Sequence, residues 1–285
     1  MKSLRTTLII SIFFIFVSTL SYRALYDKSP PSISELTSIP EGAKFSLDRV
    51  YLINLEHSKK RLEKMQHELN RADLDFTRFS AVDGNLFKGK YQKKPEKTDW
   101  IQNLAPEKGY TYLFDAEANR HGLSIGELGN YFSHYELLKL VAAGEHQLSL
   151  ILEDDALLEN DFKIRLKSLV AHAPANWDII YLNCFADLKI GCNAKKLSLT
   201  WDKRFIKLER RCTAGNGAYL INAKGAHKLL TDVLPASNRT DERIGDEFFS
   251  QKKMRFYAYC AHPELVKVGQ DGSIIDEMGR HADAS

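Results

Sequence analysis

The sequence has no C-x-x-C pair. Its four cysteines, Cys184, Cys192, Cys212 and Cys260, are scattered, so the ligand spacing of a structural zinc site is missing. One or two disulfides in an oxidising compartment, with Cys184 and Cys192 nearest in sequence, and four buried thiols both remain open. There is no excess of one charge either. Against 40 Lys and Arg stand 37 Asp and Glu, a formal +3 that gives no footing for nucleic acid or a strongly acidic partner. No internal repeat is present, and a hydrophobic content of 44% does not suggest disorder. A length of 285 residues holds one large domain or two small ones.

What is present begins at the N-terminus. Between Arg5 and Arg23 lie 17 uncharged, mostly apolar residues. A spanning helix needs about 17–25 residues, whereas a signal-peptide apolar region runs to only about 7–15. No A-x-A cleavage site follows, which favours an uncleaved signal anchor over 1–27. Lys2 and Arg5 precede the span, so the positive-inside rule leaves the N-terminus cytosolic and the rest across the membrane. Residues 28–44, rich in Pro and Ser, read as a stem or linker. A globular part over 45–276 and a tail over 277–285 complete the chain.

"RVYLINL" (49–55) reads as a strand, and the following segment has helical spacing at Leu62, Met65 and Leu69. "FTRFSAVDG" (76–84) reads as a second strand ending in a turn, and 85–121 as an insertion. The spacing over 124–144 predicts a helix with Leu128, Tyr131, Phe132, Tyr135, Leu138 and Ala142 on one face. Ser124 and Glu127 fit a capping box at its start. Strands at 148–153, 178–183, 205–211 and 217–221 and helices at 160–172 and 223–234 follow. Strand–helix alternation predicts an α/β fold with a mostly parallel sheet covered on both faces. In such sheets ligands sit beyond the carboxyl ends of the strands.

"LSLILEDDALL" (148–158) places three carboxylates at one such end. Alternate residues of an extended chain share a face, so Glu153 and Asp155 converge while Asp154 points away. Two hard oxygen ligands on one side suit Mg²⁺ or Mn²⁺, the remaining positions being filled by water and a substrate diphosphate. A solvated acidic turn ahead of the next helix is the plainer alternative.

"VYLINLEHSKKR", "FSAVDG", "GELGNYFSH", "LILEDDALL" and "GNGAYLINAKGAHKLL" occur in the order and spacing of glycosyltransferase family 25, and residues 48–270 resemble that family. It includes lipooligosaccharide β-galactosyltransferases and collagen-modifying galactosyltransferases. The resemblance implies a GT-A-like, Rossmann-type sheet with flanking helices behind the membrane-anchor helix, a UDP-sugar donor and a carboxylate-bound Mn²⁺ or Mg²⁺. It also implies a glycan, lipooligosaccharide or glycoprotein acceptor.

By the same resemblance, Asn54 and Arg61 belong to the nucleotide end of the donor site, and Asp83 to uracil or ribose. Arg61 on a solvated Lys-rich helix and Asp83 in a plain Asp-Gly turn are the competing readings. Glu153-x-Asp155 stands for the family's D-x-D element, with Asp155 as direct metal ligand and Glu153 and Asp154 orienting donor or metal water. Ser133 and His134 match a Ser-His pair whose histidine reaches sugar or phosphate; a hydrogen-bonded core histidine is the alternative. Asn130 stands where the family commonly has Cys, away from the predicted chemistry. Gly215 and Gly217 allow close sugar approach or a tight bend. The resemblance also makes Asp241 or Asp246 the general base of an inverting displacement of a hexose, galactose foremost; an acidic helix start is the plainer reading. His262 is a weaker candidate metal ligand.

The chain ends in HADAS, without the retrieval tetrapeptide of collagen-modifying relatives. A type II anchor with a lumenal site suits a eukaryotic secretory organelle. In a bacterium the segment would dock a cytoplasmic enzyme on the membrane. Asn238-Arg239-Thr240 is a glycosylation sequon. An inactive, membrane-anchored adhesion or carbohydrate-binding module is the runner-up, disfavoured by the intact acidic trio. A phosphohydrolase would need further Asp and His ligands clustered nearby, and the sequence offers few.

Overall fold

The computed structural model describes residues 31–43, 45–87, 123–144, 147–184, 198–200, 202–208, 215–232, 236, 240 and 256–269. The apolar segment 1–27, Cys192, Cys212, Asp241, Asp246 and the tail lie outside these residues. Among the described residues no helix is long and apolar enough to cross a membrane.

Strand β1 (Arg49–Asn54) alternates Val50 and Leu52 toward one side with Tyr51 and Ile53 toward the other, all buried. A strand apolar on both sides needs cover on both. On the first side the cover is α2 (Lys59–Arg71), through Met65 and Leu69, and α4 (Phe162–Ala171), through Phe162, Leu166 and Leu169. Opposite lie α3 (Ile125–Ala143), through Leu137, Leu138 and Val141, and α5 (Ala223–Asp232), through Ala226 and Leu229. The result is a three-layer α/β/α sandwich. Burying one such side chain contributes about 1.5–3 kcal/mol, and Leu52, Leu150, Leu152 and Leu220 are completely buried.

The other strands of the 8-stranded sheet are β2 (Thr77–Ser80), β3 (Leu148–Glu153), β5 (Ile179–Tyr181), β6 (Ser198–Leu199), β7 (Phe205–Lys207), β8 (Ala218–Asn222) and β9 (Ala258–Ala261). Their order is β2-β1-β3-β8-β5-β9-β7-β6. β1 runs parallel to β2 and β3, and β5 to β9. β8 is antiparallel to both its neighbours, β3 and β5, and β7 to both β9 and β6. Only β8 and β7 oppose the common direction, so the sheet is mixed but mostly parallel. A two-stranded ribbon of β4 (Ala156–Leu158) and β10 (Val266–Val268) leaves the sheet directly after the acidic trio.

α3 departs from a one-faced helix. Leu128, Tyr131 and Phe132 pack away from the sheet, against Val82, Phe87, Leu123 and Ala236, while Leu137, Leu138 and Val141 face the sheet. Its N-terminal end abuts the loop after β2 at two glycines. A Cβ on Gly129 would lie 2.7 Å from the Val82 carbonyl oxygen, and one on Gly84 would lie 2.1 Å from that of Ile125.

Part of the stem is docked on the domain. Ser32 caps the short helix α1 (Ile33–Thr37) through a capping box with Glu35. The Ser38 carbonyl accepts from Ser168 Oγ on α4 at 2.6 Å. Arg204, buried at the start of β7, donates to the Glu35 carbonyl and to Ser38 Oγ. A disulfide joins Cys184, beyond β5, to Cys260 on β9, with 5.9 Å between Cα atoms. The partner of Cys184 is therefore 76 residues away, not the nearby Cys192.

Candidate active site

Strands β1, β2 and β3 end together, and β8 begins at the same edge of the sheet. A cavity of about 90 Å³ opens there, lined by Asn54, Arg61, Gly129, Asn130 and the trio Glu153, Asp154 and Asp155 among others. Leu55, Ala81 and Val82 form a wall shared with a wider hollow of about 400 Å³ that also touches His57 and Asp83. Most of the residues expected at the donor are thus brought to one groove.

The trio divides its work. Asp154 turns inward, accepting from Asn54 Nδ2 at 2.7 Å and pairing with Arg61 Nη1 at 2.9 Å. Asn54 Nδ2 also donates to the Ser58 carbonyl, and its Oδ1 accepts from Arg78 Nε at 2.9 Å. Arg61 therefore works in an ion pair rather than on a solvated face. Asn54, Arg61 and Asp154 lock the ends of β1 and β3 and the first turn of α2 to one another. Arg78 escaped the sequence reading; an arginine inside a short strand was its only signal.

Glu153 and Asp155 both face the cleft. Glu153 Oε1 accepts from His134 Nε2 and from Asn130 Nδ2, each at 2.9 Å. Burial raises the Glu153 pKa, but hydrogen bonds from His134 and Asn130 and the charge of Arg61 outweigh it and hold it below the usual range. Asp155 has little such help. Burial, then the Glu153 charge, lift its pKa to about 7 against the pull of Arg61.

These two carboxylates fit a hard divalent cation: a donor-poor, electrostatically strained acid beside an ionised one. Among the described residues no group of three or more His, Cys, Asp or Glu could hold a metal. Such an ion would therefore complete its shell with water and phosphate oxygens, as Mg²⁺ commonly does. His262 does not line the cavity, and its Nδ1 lies 3.1 Å from the Lys203 carbonyl.

Two sequence expectations are corrected. His134 does not reach the groove: it is 1% exposed, with Nδ1 at 2.9 Å from Tyr219 Oη and Nε2 on Glu153. Asn130 is not remote from the chemistry, since it lines the cavity, binds Glu153 and accepts from Thr240 Oγ1 at 3.2 Å. Thr240 immediately precedes the candidate base Asp241.

Glu127 and Asp83 both take local hydrogen bonds. Glu127 closes the capping box of α3, its Oε2 accepting from Ser124 N at 2.6 Å. Asp83 Oδ1 accepts from the backbone and side chain of Asn85, while Oδ2 faces His57 Nδ1 at 3.9 Å beside the wider hollow. Tyr219 was also missed; an aromatic in an otherwise aliphatic strand, opposite Ile151, was its signal.

Fold and site together define an α/β protein with an acid-lined ligand groove at the carboxyl edge of its sheet. The profile of glycosyltransferase family 25 (LPS biosynthesis protein) matches residues 47–243. The chain belongs to that family. It is 30% identical to procollagen galactosyltransferase 1-A of Xenopus laevis over 216 residues, covering 71% of this chain and 32% of that protein. It is 29% identical to human procollagen galactosyltransferase 2 over 281 residues, covering 89% and 41%. The chain thus spans about a third of the length of the curated relatives it matches. Among solved structures it is similar, at a TM-score of 0.40 and 10% identity, to a glycosyltransferase involved in the glycosylation of the major capsid of PBCV-1, covering 83% of this chain and 100% of that one.

Proposed function

We propose that this protein is a metal-dependent, inverting hexosyltransferase that moves galactose from UDP-galactose to a hydroxyl of a glycan or glycoprotein. The observation carrying this reading is the pair Glu153 and Asp155, side by side at the groove of a family 25 chain. Galactose is supported by the names of the procollagen galactosyltransferases it resembles.

Glu153 and Asp155 would hold Mn²⁺ or Mg²⁺, which when bound offsets the charge of the departing diphosphate. Asn54 and Arg61 keep Asp154, and with it the turn carrying Asp155, in place. Asp83 and His57 flank the hollow sized for a nucleoside. In a single displacement the acceptor oxygen bonds to the anomeric carbon as the bond from that carbon to the diphosphate oxygen breaks. The hydroxyl proton passes to a carboxylate base, Asp241 or Asp246. Both lie outside the described residues; the bond between Thr240 and Asn130 ties the segment leading to Asp241 to the groove.

Residues 1–27 are proposed as a type II anchor, with the domain in a lumenal, oxidising compartment. The Cys184–Cys260 disulfide supports that compartment.

The deciding measurement is calorimetric binding of UDP-galactose to residues 31–285 with and without Mn²⁺, for wild type and Asp155→Ala. Mn²⁺-dependent binding lost in the variant is expected. Absence of binding by the wild-type domain in both conditions would overturn the proposal.

A further inference from the structure

Tyr219 lies on β8, opposite Ile151 of β3, and Glu153 stands two residues beyond Ile151 on the same face. Helix α3 covers this face and presents Asn130 and His134, one helical turn apart, to the same oxygen of Glu153. His134 lies between Glu153 and Tyr219, with both ring nitrogens engaged at 2.9 Å. Tyr219 is 3% exposed and touches no ligand-lining surface. We infer that Tyr219 is a positioning residue for the reaction, acting through His134 to fix which oxygen of Glu153 is held and which faces the cleft.

Hydrogen-bond directions carry the inference. A neutral imidazole has one N–H, and either nitrogen can bear it. Were it on Nδ1, the Nε2 lone pair would face the Glu153 carboxylate, and the Tyr219 hydroxyl proton would have no acceptor among the described residues. A doubly protonated ring would strand the same proton. Among the described residues one arrangement gives the Tyr219 hydroxyl proton and both His134 ring nitrogens a partner: Tyr219 O–H donates to Nδ1, and Nε2–H donates to Glu153 Oε1. Burial keeps the phenol protonated, raising its pKa well above the ordinary value, so the donor is always present. With Oε1 committed to His134 and Asn130, the other oxygen is left for the groove. Outer hydrogen bonds of this kind commonly change metal affinity or activity by about 10–100-fold.

The inference rests on the proposed role of Glu153 as a groove-facing carboxylate, and its test separates the two. The variants are Tyr219→Phe, His134→Gln and the double substitution, made in the full chain. The His134→Gln amide can still donate to Glu153 but loses Tyr219. The first readout needs no activity: nitrogen-15 NMR of His134 in the metal-free protein. A single Nε2–H tautomer in wild type and a mixture in Tyr219→Phe are expected. An Nδ1–H ring in wild type, or an unchanged tautomer in the variant, overturns the inference.

The second readout is Mn²⁺ affinity, with kcat and KM for UDP-galactose. Tyr219→Phe should weaken Mn²⁺ binding about 10-fold with little change in melting temperature. Added to His134→Gln, it should cost nothing more. Additive losses overturn the relay. Failure of wild type to bind Mn²⁺ and UDP-galactose overturns the functional proposal alone, and the tautomer result still decides the relay.

Discussion

At the residue scale the most informative group is Asp155, because its burial opposes the charge its proposed role requires. In the metal-free protein its pKa stands near 7, against 3.8 for the ordinary side chain. The folded state therefore holds this proton more tightly than the unfolded chain. Ionising the group destabilises the fold, with the penalty absent below about pH 4, growing to about pH 7 and constant above. The gap corresponds to on the order of 4 kcal/mol at its full extent. Asp155→Asn carries no such penalty. In EDTA the variant should melt higher than wild type at pH 8 and by a much smaller margin at pH 5, while losing transfer activity. Equal margins at the two values would show that Asp155 is not the strained acid. The strand-end acids were legible in the sequence because alternation alone puts Glu153 and Asp155 together. Asn130, Tyr219 and Arg78 were not, because their partners lie 23, 85 and 24 residues away and depend on helix placement and strand register.

At the scale of elements, the junction between α3 and the β2 loop shapes the groove wall. Gly129→Ala brings two opposed effects. Replacing a helical glycine gains about 1 kcal/mol of helix propensity. Against this, the new methyl would sit 2.7 Å from the Val82 carbonyl oxygen and 2.8 Å from Gly84 N, both backbone atoms that cannot swing aside. Overpacking of that kind costs about 1–3 kcal/mol, so the variant should unfold at lower urea concentration and bind donor more weakly. An unchanged or higher midpoint would mean that α3 can slide. The long periodic elements β1, α3 and β3 were read from sequence to within about a residue. Strands β4, β6, β9 and β10 were not, each having four residues or fewer and too little alternation to declare itself. The reversed direction of β8 is set by tertiary pairing, which local pattern does not encode.

At the scale of the whole molecule, the docked arm makes the domain larger than its sheet. Arg204 is 6% exposed, and residues 32–38 supply two of its acceptors. Cutting the chain at residue 45 would leave this buried cation with Asp202 as its remaining charged partner. Uncapping a buried donor costs about 1–3 kcal/mol. The 45–285 fragment should therefore melt several degrees below 31–285 in a calorimetric scan. Equal melting temperatures would mean that the arm rests on the surface without contributing.

The arm also sets a length. Between the proposed anchor, ending at residue 27, and the capped Ser32 the sequence has only residues 28–31. At about 3.5 Å per residue, four residues reach at most roughly 14 Å. Were residues 1–27 to anchor the chain as proposed, a domain so tied would not sweep a wide volume of solution like a catalytic unit on a long stalk. It would ride close to the lipid surface, with the α1 and α4 side nearest, and would sample substrates carried past within a thin layer. The acceptors it meets would then be selected first by how near to the bilayer they travel, and only afterwards by the shape of the groove.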